Sequence, residues 1–481
     1  MCIRDRGSRP AGRKKPMIEE TTPRRVTAEL LRRYDRPGPR YTSYPTAVEF
    51  HERFDSAAYE RKLAEADARS GEPLSLYFHL PFCHERCTFC GCNVIITHKH
   101  EITRRYLEYL KKETALVASR LPHRRLVNQV HWGGGTPTYQ TSEEMRDLMS
   151  EIRRHFTIAP EAEIAIEVDP RVTSREQIDT LRDIGFGRLS MGVQDFTPEV
   201  QAAIARNQSL EQTVELYEYC RGIGFSSINV DLIYGLPMQT VATFRKNLEQ
   251  VVAMRPDRVA VYSFAFVPWI RGNQKKTDPA TLPPPEVKFE LFLQALEAFT
   301  AAGYRQIGMD HFALPEDELS IAQAEGRLYR NFMGYTVMPA ADQVGIGISS
   351  IGNVRHAFAQ NVKKLSTYYP ALDEGRLPIE KGYELSVDDR IRQVVIASLM
   401  CNFEVRLAGI EERFGIDFRA YFARELEELK VPEEHGFVEV EADRVRVTQT
   451  GRLFVRNVCM LFDAYLAAKQ ASGQPVFSRT V

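Results

Sequence analysis

The sequence of 481 residues has no long hydrophobic run. Its longest uncharged apolar stretch, from Val259 to Ile270, is interrupted by Pro268 and is too short to cross a bilayer. Residues 1–25 are basic and lack the continuous apolar core of a signal peptide. We therefore expect a cytoplasmic protein that neither spans a membrane nor is exported.

An excess of either charge is also missing, because 63 lysine and arginine residues stand against 64 aspartate and glutamate residues. This balance gives no support to binding of nucleic acid or a membrane surface. The hydrophobic fraction of 43% and the charged fraction of 26% are ordinary for a globular enzyme. The length predicts a large domain with a smaller one. No feature indicates an obligate interface, so we expect a monomer.

From residue 75 to about 265, short strand-like runs alternate with longer helical patterns. Strands are predicted at Leu74–Leu80, Gln129–Trp132, Glu163–Val168, Arg188–Val193, Ser227–Ile233 and Arg258–Phe264. Helices are predicted at Ile102–Arg120, Ser142–Phe156, Ser174–Ile184, Leu210–Ile223 and Val241–Met254. Such βαβ units form a parallel sheet, and six of them curl into a complete or partial β/α barrel.

After Ile270 the strand-like and helical segments no longer alternate regularly. Two later segments, Arg305–Asp310 and Gly345–Gly352, are predicted to extend the sheet. From about residue 384 we predict a helix over Val387–Asn402, two more helices, a hairpin of Phe437–Val440 and Arg444–Thr448, and a final helix from Gly451 to about Lys469. The predicted fold is α/β: a partial (β/α)6 barrel extended by further strands, with a smaller, mostly helical C-terminal domain like a winged helix.

These patterns predict four parts of the chain. Residues 1–30 form a disordered basic tail, with Met17 as an alternative start. Residues 31–72 form an arm that packs on the barrel, residues 73–380 the catalytic domain, and residues 381–481 a helical lid over the barrel.

Unusual polar and glycine residues follow the predicted strands. In chain order they are the cysteine loop from Cys83, Gly133–Pro137, Glu167 with Asp169, Gln194 with Asp195, and Asp231. Because the carboxyl ends of parallel strands meet at one edge, where such folds build their active sites, we expect these residues to form one site.

Cys83, Cys87 and Cys90 have the spacing C-x3-C-x2-C, with Cys92 two residues on. In a cytosolic enzyme such a tight group predicts a metal site. Three thiolates on a [4Fe–4S] cluster leave one iron open for S-adenosylmethionine, whose sulfonium bond one electron can break to give a 5′-deoxyadenosyl radical. The alternative is zinc held by all four cysteines, although structural zinc usually takes two separated ligand pairs.

The cysteine spacing after a strand and the GGGTP run from Gly133 resemble the radical S-adenosylmethionine superfamily. Further motifs are similar to the oxygen-independent coproporphyrinogen III oxidase family: RYTSYPT from Arg40, LYFHLPFC through Cys83, CGCN from Cys90, HWGGGTPT from His131, IEVDP through Pro170, SMGVQD through Asp195, DLIYGLP from Asp231 and GMDHFA from Gly308. This resemblance extends from about Arg32 to the C-terminus.

The resemblance implies that Cys83, Cys87 and Cys90 ligate the cluster and that Cys92 is a neighbour without that role. It implies that one or two S-adenosylmethionine molecules lie against Tyr77, Phe89, Gly134, Gly135, Thr136, Glu167, Gln194, Arg206, Asp231, Ala265 and Ile351. A carboxylate such as Glu167 can accept hydrogen bonds from ribose hydroxyls or an ammonium group, and Arg206 can pair with a carboxylate. Taken singly, however, a strand-end acid can cap a helix and Arg206 can be a solvated charge.

The implied reaction is the oxidative decarboxylation of two propionates of coproporphyrinogen III to protoporphyrinogen IX, in porphyrin and haem biosynthesis, with an external electron donor and acceptor. Because the substrate carries four carboxylates, we expect arginines at the barrel mouth. Arg40 and Arg330 are the candidates, since each lies in a family-like segment.

Two other functions compete with this one. A haem-binding chaperone of the same family is disfavoured by Gly91-Cys92 and by the segment Arg40–Pro45. A DNA-binding regulator that uses the C-terminal domain is disfavoured because the predicted final helix is apolar and not markedly basic.

Overall fold

The computed structural model describes residues 26–338, 342–471 and 477–480. Residues 1–25 of the predicted tail lie outside this part of the chain. Helix α1 begins at Ala28, inside the range assigned to the tail, because Thr27 caps it by accepting a hydrogen bond from the Leu30 backbone N–H at 3.2 Å.

The elements follow one another from the N-terminal arm through the barrel to the C-terminal domain. The arm and barrel contain α1 Ala28–Tyr34, α2 Ser56–Asp67, β1 Leu74–Leu80, β2 Phe82–Cys83, β3 Ile95–Ile96, α3 His100–Ser119, β4 Leu126–Gly134, α4 Ser142–His155, β5 Thr157–Val168, α5 Arg175–Asp183, β6 Arg188–Gln194, α6 Pro198–Ala203, α7 Leu210–Gly222, β7 Ser227–Tyr234, α8 Val241–Met254 and β8 Arg258–Ser263. Next come α9 Pro285–Ala301, β9 Arg305–Ile307, β10 His311–Ala313, α10 Glu318–Ala324, β11 Tyr329–Asn331, β12 Gly334–Thr336, β13 Asp342–Ile346, β14 Ile351–Val354, β15 Ala357–Asn361, α11 Leu365–Asp373 and β16 Ile379–Glu384. The C-terminal domain contains α12 Val387–Asn402, β17 Glu404–Arg406, α13 Leu407–Phe414, α14 Phe418–Tyr421, α15 Ala423–Glu428, α16 Lys430–Glu434, β18 Val438–Val440, β19 Arg444–Val447, α17 Gln449–Arg452, α18 Val455–Leu461 and α19 Leu466–Ala471.

The main sheet is open, with the order β16-β15-β14-β13-β1-β4-β5-β6-β7-β8-β10-β9. Strands from β13 to β8 run parallel, which confirms the predicted βαβ architecture, and the strands outside them pair antiparallel. The single strand predicted over Arg305–Asp310 is instead the short strand β9 followed by a turn, which leads into the antiparallel partner β10 at His311. All polar strand ends named above therefore lie at one edge of the sheet.

Apolar side chains fix the strands in place. On β1, Leu76, Phe78 and Leu80 are completely buried, and each such side chain contributes about 1.5–3 kcal/mol through burial. On β4 the fully buried Trp132 packs edge-on against Phe186 at 4.8 Å between ring centroids. This packed core holds the strand ends at fixed positions.

The arm joins the barrel to the C-terminal domain. The Tyr41 hydroxyl donates to Asp463 at 2.9 Å, and the Gln393 side chain donates to the backbone carbonyl of Tyr44 at 2.9 Å. The arm therefore contacts the C-terminal domain as well as the barrel.

The predicted final helix from Gly451 to Lys469 is wrong, because this segment folds as α17, α18 and α19. Asp463 accepts hydrogen bonds from the Tyr465 backbone N–H at 2.9 Å and from the Tyr41 hydroxyl, and these contacts stabilise a turn. Strand β17 also joins the predicted hairpin, giving the order β17-β19-β18. Within the described ranges, no helix is both long and apolar enough to cross a membrane.

Candidate active site

The loop that carries the cysteines leaves the end of β1 and is held by backbone hydrogen bonds. Strands β2 and β3 pair at its base, and the Thr88 N–H donates to the Ile204 carbonyl at 3.0 Å. A turn places the Cys90 N–H 3.3 Å from the Cys87 carbonyl. The spacing of the three cysteines thus corresponds to a tight turn at the edge of the sheet.

Asn273 holds this loop from the segment that follows β8. Its side-chain nitrogen lies 3.2, 2.9 and 3.0 Å from the carbonyl oxygens of Cys87, Thr88 and Cys90. The neighbouring Gln274 side chain donates to the Ala265 carbonyl at 3.0 Å. Sequence reasoning missed both residues, because no motif links this segment to the cysteine loop.

The glycine run after β4 lets its backbone approach the neighbouring groups closely. A Cβ atom on Gly133 would lie 2.9 Å from the Glu167 carboxylate, and one on Gly135 would lie 2.6 Å from the backbone of Pro81. Gly134 has a φ of 118°, and a Cβ atom there would lie 2.6 Å from the His79 ring. The run therefore packs directly against the base of the cysteine loop and the end of β5.

These strand ends surround one cavity of about 1020 Å³. Of the predicted site residues it is lined by Cys83, Cys87, Phe89, Cys90, Gly134, Gly135, Thr136, Glu167, Gln194, Arg206 and Asp231. Cys92 lies at the same cavity. The structure thus brings these eleven predicted residues together at one cavity.

Two arginines surround the Cys87 thiol. The guanidinium of Arg206 lies 3.8 Å and that of Arg171 lies 3.9 Å from the sulfur, and both pair with Asp169, at 2.9 and 2.7 Å. These arginines hold the pKa of Asp169 below its usual range against the effect of burial. Arg206 is therefore a buried, paired group and not a solvated charge. Sequence analysis missed Arg171, although it follows the IEVDP motif directly.

Glu167 accepts a hydrogen bond from the Gly134 backbone N–H at 3.0 Å, and His131 lies 3.6 Å from its other oxygen. Burial would raise the pKa of this carboxyl, but His131 and the Gly134 N–H lower it, so Glu167 is anionic at neutral pH. It does not cap a helix. Its side chain opens into the cavity.

Asp231 accepts hydrogen bonds from neutral side chains. The Ser190 hydroxyl donates to it at 2.9 Å and the Asn229 amide at 2.8 Å. Burial raises its pKa to about 6. Glu167 and Asp231 thus differ, with Glu167 the stronger acid.

Gln194 has a φ of 68°, a region that residues other than glycine rarely adopt. The β6 and β7 register shifts between Gly192 and Gln194, and a Cβ atom on Gly192 would lie 2.9 Å from the Gln194 amide nitrogen. The irregular strand end thus turns the amide back toward the cavity. Such strain is typical of functional sites.

The loop thiols differ in their surroundings. Burial raises the pKa of Cys83 to about 11, with the Thr136 hydroxyl 3.5 Å from its sulfur. Hydrogen bonds from Cys92, including its backbone N–H at 3.4 Å, lower the pKa of Cys90 to about 6. Across the described residues, no three His, Cys, Asp or Glu side chains converge on one metal-ion position. Each thiolate of a four-iron cluster binds a different iron atom, so the separated thiols suit a cluster better than a single zinc ion.

Three predicted cofactor residues lie outside the set that lines the cavity. The Tyr77 ring stacks on His131 at 5.9 Å, and its hydroxyl lies 3.0 Å from His79. Ala265 follows the end of β8 and is held by Gln274. Ile351 begins β14 and packs against the apolar cluster that contains Phe50 and Phe358.

The two predicted substrate arginines are connected to each other. Arg40 donates to the Ser263 carbonyl, at the end of β8, at 2.6 Å. Arg330 donates to the Arg40 carbonyl at 2.7 Å, and its guanidinium lies 5.2 Å from the centre of the Tyr335 ring. Neither residue lines the cysteine cavity, but both lie near Asp310, whose pKa they help to lower to about 2 against burial, after the larger effect of His311.

Comparison with known proteins agrees with this geometry. The Radical SAM superfamily profile matches residues 77–251, and the HemN C-terminal domain profile matches residues 385–454. The oxygen-independent coproporphyrinogen III oxidase of Synechocystis sp. is 44% identical over 95% of this chain and 98% of its own length. That of Escherichia coli is 45% identical over 94% of this chain and 98% of its own length.

The chain belongs to the family of oxygen-independent coproporphyrinogen III oxidases. The solved structure of coproporphyrinogen III oxidase (HemN) from Escherichia coli, a radical SAM enzyme, superposes with a TM-score of 0.86 at 44% identity. The superposition covers 89% of this chain and 97% of the Escherichia coli chain. The family confirms the predicted α/β fold and the predicted cofactors, a [4Fe–4S] cluster and S-adenosylmethionine.

Proposed function

We propose that this chain catalyses the oxygen-independent oxidative decarboxylation of coproporphyrinogen III to protoporphyrinogen IX. The observation that carries the proposal is the single cavity in which the three loop cysteines face the strand-end residues of β4 to β7. The relatives over nearly the whole chain bear the name of this activity, which favours the enzyme over the haem chaperone.

The donor set of the cavity fits the cofactors. Cys83, Cys87 and Cys90 would hold a [4Fe–4S] cluster by three thiolates and would leave one iron open to S-adenosylmethionine. When bound, the two cofactors supply an electron and an organic radical that removes a hydrogen atom from the substrate. Glu167 is anionic and suits an ammonium or ribose hydroxyls, and Arg206 suits a carboxylate. The roles of Tyr77, Phe89, Gly134, Gly135, Thr136, Gln194, Asp231, Ala265 and Ile351 at the cofactor are proposed on the same basis.

Arg40 and Arg330 are proposed to bind propionates of the substrate at the barrel mouth. Their linkage through the Arg40 carbonyl would orient the two guanidinium groups together. Replacing Arg330 by alanine is expected to raise the KM for coproporphyrinogen III about tenfold, through loss of a charge-assisted hydrogen bond. An unchanged KM would remove Arg330 from this role.

The deciding experiment is an anaerobic assay of the reconstituted protein with coproporphyrinogen III, S-adenosylmethionine and a low-potential reductant. We expect two equivalents of CO2 per protoporphyrinogen IX formed. Stable haem binding without CO2 release would establish the chaperone instead. The reaction needs an external donor for the one electron that cleaves each S-adenosylmethionine. It also needs an external acceptor for the one electron that remains when the substrate radical loses CO2 and becomes a vinyl group.

We further propose that the enzyme acts as a monomer in the cytoplasm. The described cysteines are all free thiols, as expected in a reducing compartment. Light scattering of the reconstituted enzyme at micromolar concentration tests the monomer, for which a mass near 55.0 kDa is expected.

A further inference from the structure

The three thiols of the cysteine loop have different partners. Cys83 lies beside the neutral Thr136 hydroxyl, and Cys90 accepts a hydrogen bond from the backbone N–H of Cys92. Cys87 is buried, whereas the other two ligands are partly exposed, and its sulfur lies 3.8 and 3.9 Å from two guanidinium nitrogens. Among the described residues, Cys87 is therefore the loop thiol in direct contact with charged donors.

Asp169, in the IEVDP motif, fixes one of these guanidinium groups, that of Arg171. The Nε atom of Arg171 lies 3.1 and 3.2 Å from the two carboxylate oxygens, and its Nη2 atom lies 2.7 Å from one of them. The same Nη2 atom is the donor to the Cys87 sulfur. A guanidinium has five N–H donors, so its bonds to the carboxylate leave others for a thiolate. This contact gives a motif residue, Asp169, a role that cofactor binding alone does not explain.

The group of charges around Cys87 is positive. Asp169 pairs with both Arg171 and Arg206, so two guanidinium charges face one carboxylate, and a guanidinium stays protonated in proteins. The side chains of Asp169 and Arg206 are 8% exposed and that of Arg171 is 18% exposed. Because water screens charges so placed only weakly, they act strongly on a neighbouring thiolate.

We propose that Arg171 raises the reduction potential of the iron–sulfur cluster through its N–H contact with the Cys87 sulfur. The inference rests on the proposed function, since that function makes Cys87 a ligand of the cluster. Reduction moves one electron from the external donor, which is oxidised, to the cluster and its thiolates, which gain one negative charge. A hydrogen bond and a positive charge at a thiolate stabilise the more negative, reduced state. Arg171 thus makes the cluster easier to reduce for that donor.

The test uses variants of Arg171, because Arg206 already has a proposed role at S-adenosylmethionine. It compares Arg171→Met and Arg171→Lys with the control Arg175→Met, which removes one positive charge from an exposed position on α5. Redox titration of the reconstituted proteins without S-adenosylmethionine, followed by electron paramagnetic resonance, gives the potential. We expect Arg171→Met to lower the equilibrium constant for one-electron reduction about tenfold, a fall of about 59 mV in potential. Arg171→Lys keeps the charge and should show a smaller fall, and Arg175→Met should match the wild type.

The iron and sulfide content separates an effect on the potential from an effect on assembly. It is expected to match the wild type in Arg171→Met, because all three thiolates remain. An unchanged potential, loss of the cluster from Arg171→Met, an equal fall in Arg171→Lys or an equal fall in Arg175→Met would each overturn the inference. If the wild type takes up the cluster and cleaves S-adenosylmethionine but releases no CO2 from coproporphyrinogen III, the proposed function fails instead, and the measured potentials still decide the role of Arg171.

Discussion

The two parts of the barrel rim are built differently. From β1 to β7, the thiols, glycines and carboxylates come from residues that directly follow or end their strands. At β8 the cations come from elsewhere in the chain: Arg40 from the arm and Arg330 from β11, joined through the Arg40 carbonyl. The part proposed to bind the cofactors (the cofactor part) is therefore specified by local sequence, and the part proposed to bind the substrate by tertiary packing. The following substitutions in the cofactor part test this division, because those at Cys90, Gly134 and Asp231 should leave the Kd of coproporphyrin III, measured by fluorescence titration, unchanged.

The largest effect is expected from Cys90→Ser. Loss of one of three thiolates should abolish retention of the cluster, measured as iron and sulfide content and by electron paramagnetic resonance after anaerobic reconstitution. Cys92→Ser is the matched control and should retain the cluster. A change in the shape of its electron paramagnetic resonance signal is compatible with this result, but its iron and sulfide content should match the wild type. Loss of the cluster in Cys92→Ser would make Cys92 a fourth ligand and leave no iron open for S-adenosylmethionine.

Gly134→Ala should have the second-largest effect. Its φ of 118° and the 2.6 Å approach of a new Cβ to His79 both disfavour a side chain. Binding of S-adenosylmethionine, measured by equilibrium dialysis, should weaken more than tenfold. Gly91→Ala is the control in the same site, since nothing lies within 4 Å of a Cβ at that position. Equal behaviour of the two variants would contradict the close packing described for the glycine run.

Asn273→Asp is expected to have an intermediate effect. The change keeps the shape of the side chain but replaces the N–H donors with an acceptor that faces the carbonyls of Cys87, Thr88 and Cys90. Loss of iron to a chelator should become several-fold faster, measured by absorbance. Lys275→Met, an exposed neighbour, should match the wild type. A wild-type rate in Asn273→Asp would show that the Asn273 amide is not needed to hold the loop.

Asp231→Asn should give the smallest effect, in opposite directions for stability and binding. Burial raises the pKa of Asp231 to about 6 in the folded protein, whereas an aspartate in the unfolded chain has a pKa near 4. Ionisation of Asp231 therefore opposes folding, and the stability of the wild type falls as the pH rises from about 4 through about 6. The variant should gain about 1–2 kcal/mol in free energy of unfolding at pH 8 and little at pH 4. Its affinity for S-adenosylmethionine should fall a few-fold and lose its dependence on pH near 6. Denaturant titration checks the stability and equilibrium dialysis checks the affinity for S-adenosylmethionine, each over a range of pH. If the variant's stability gain did not depend on pH, the raised pKa of Asp231 would be contradicted.

The difference between the two parts also explains what the sequence could predict. The strands of the barrel and the cysteine, glycine and acidic residues at their ends follow from alternation of strand and helix patterns and from the rule that parallel strands end at one edge. The pairing of Arg40 with the Ser263 carbonyl, or of Asn273 with the cysteine loop, depends on contacts between segments far apart in sequence. The final helix was predicted wrongly for the same reason, since the turn at Asp463 depends on Tyr41 of the arm.

The bond between Asn273 and the cysteine loop has a mechanical consequence. The sheet is open, so no ladder of backbone hydrogen bonds joins β1 to β8 as it would in a closed barrel. The Asn273 side chain spans that gap and acts as a latch between the loop after β1 and the segment after β8. Widening the mouth to admit a large substrate would pull on the residues that hold the cluster. Entry of the substrate and the redox centre would thus be coupled through the side-chain amides of Asn273 and of Gln274, which lies 3.4 Å from the Phe89 carbonyl.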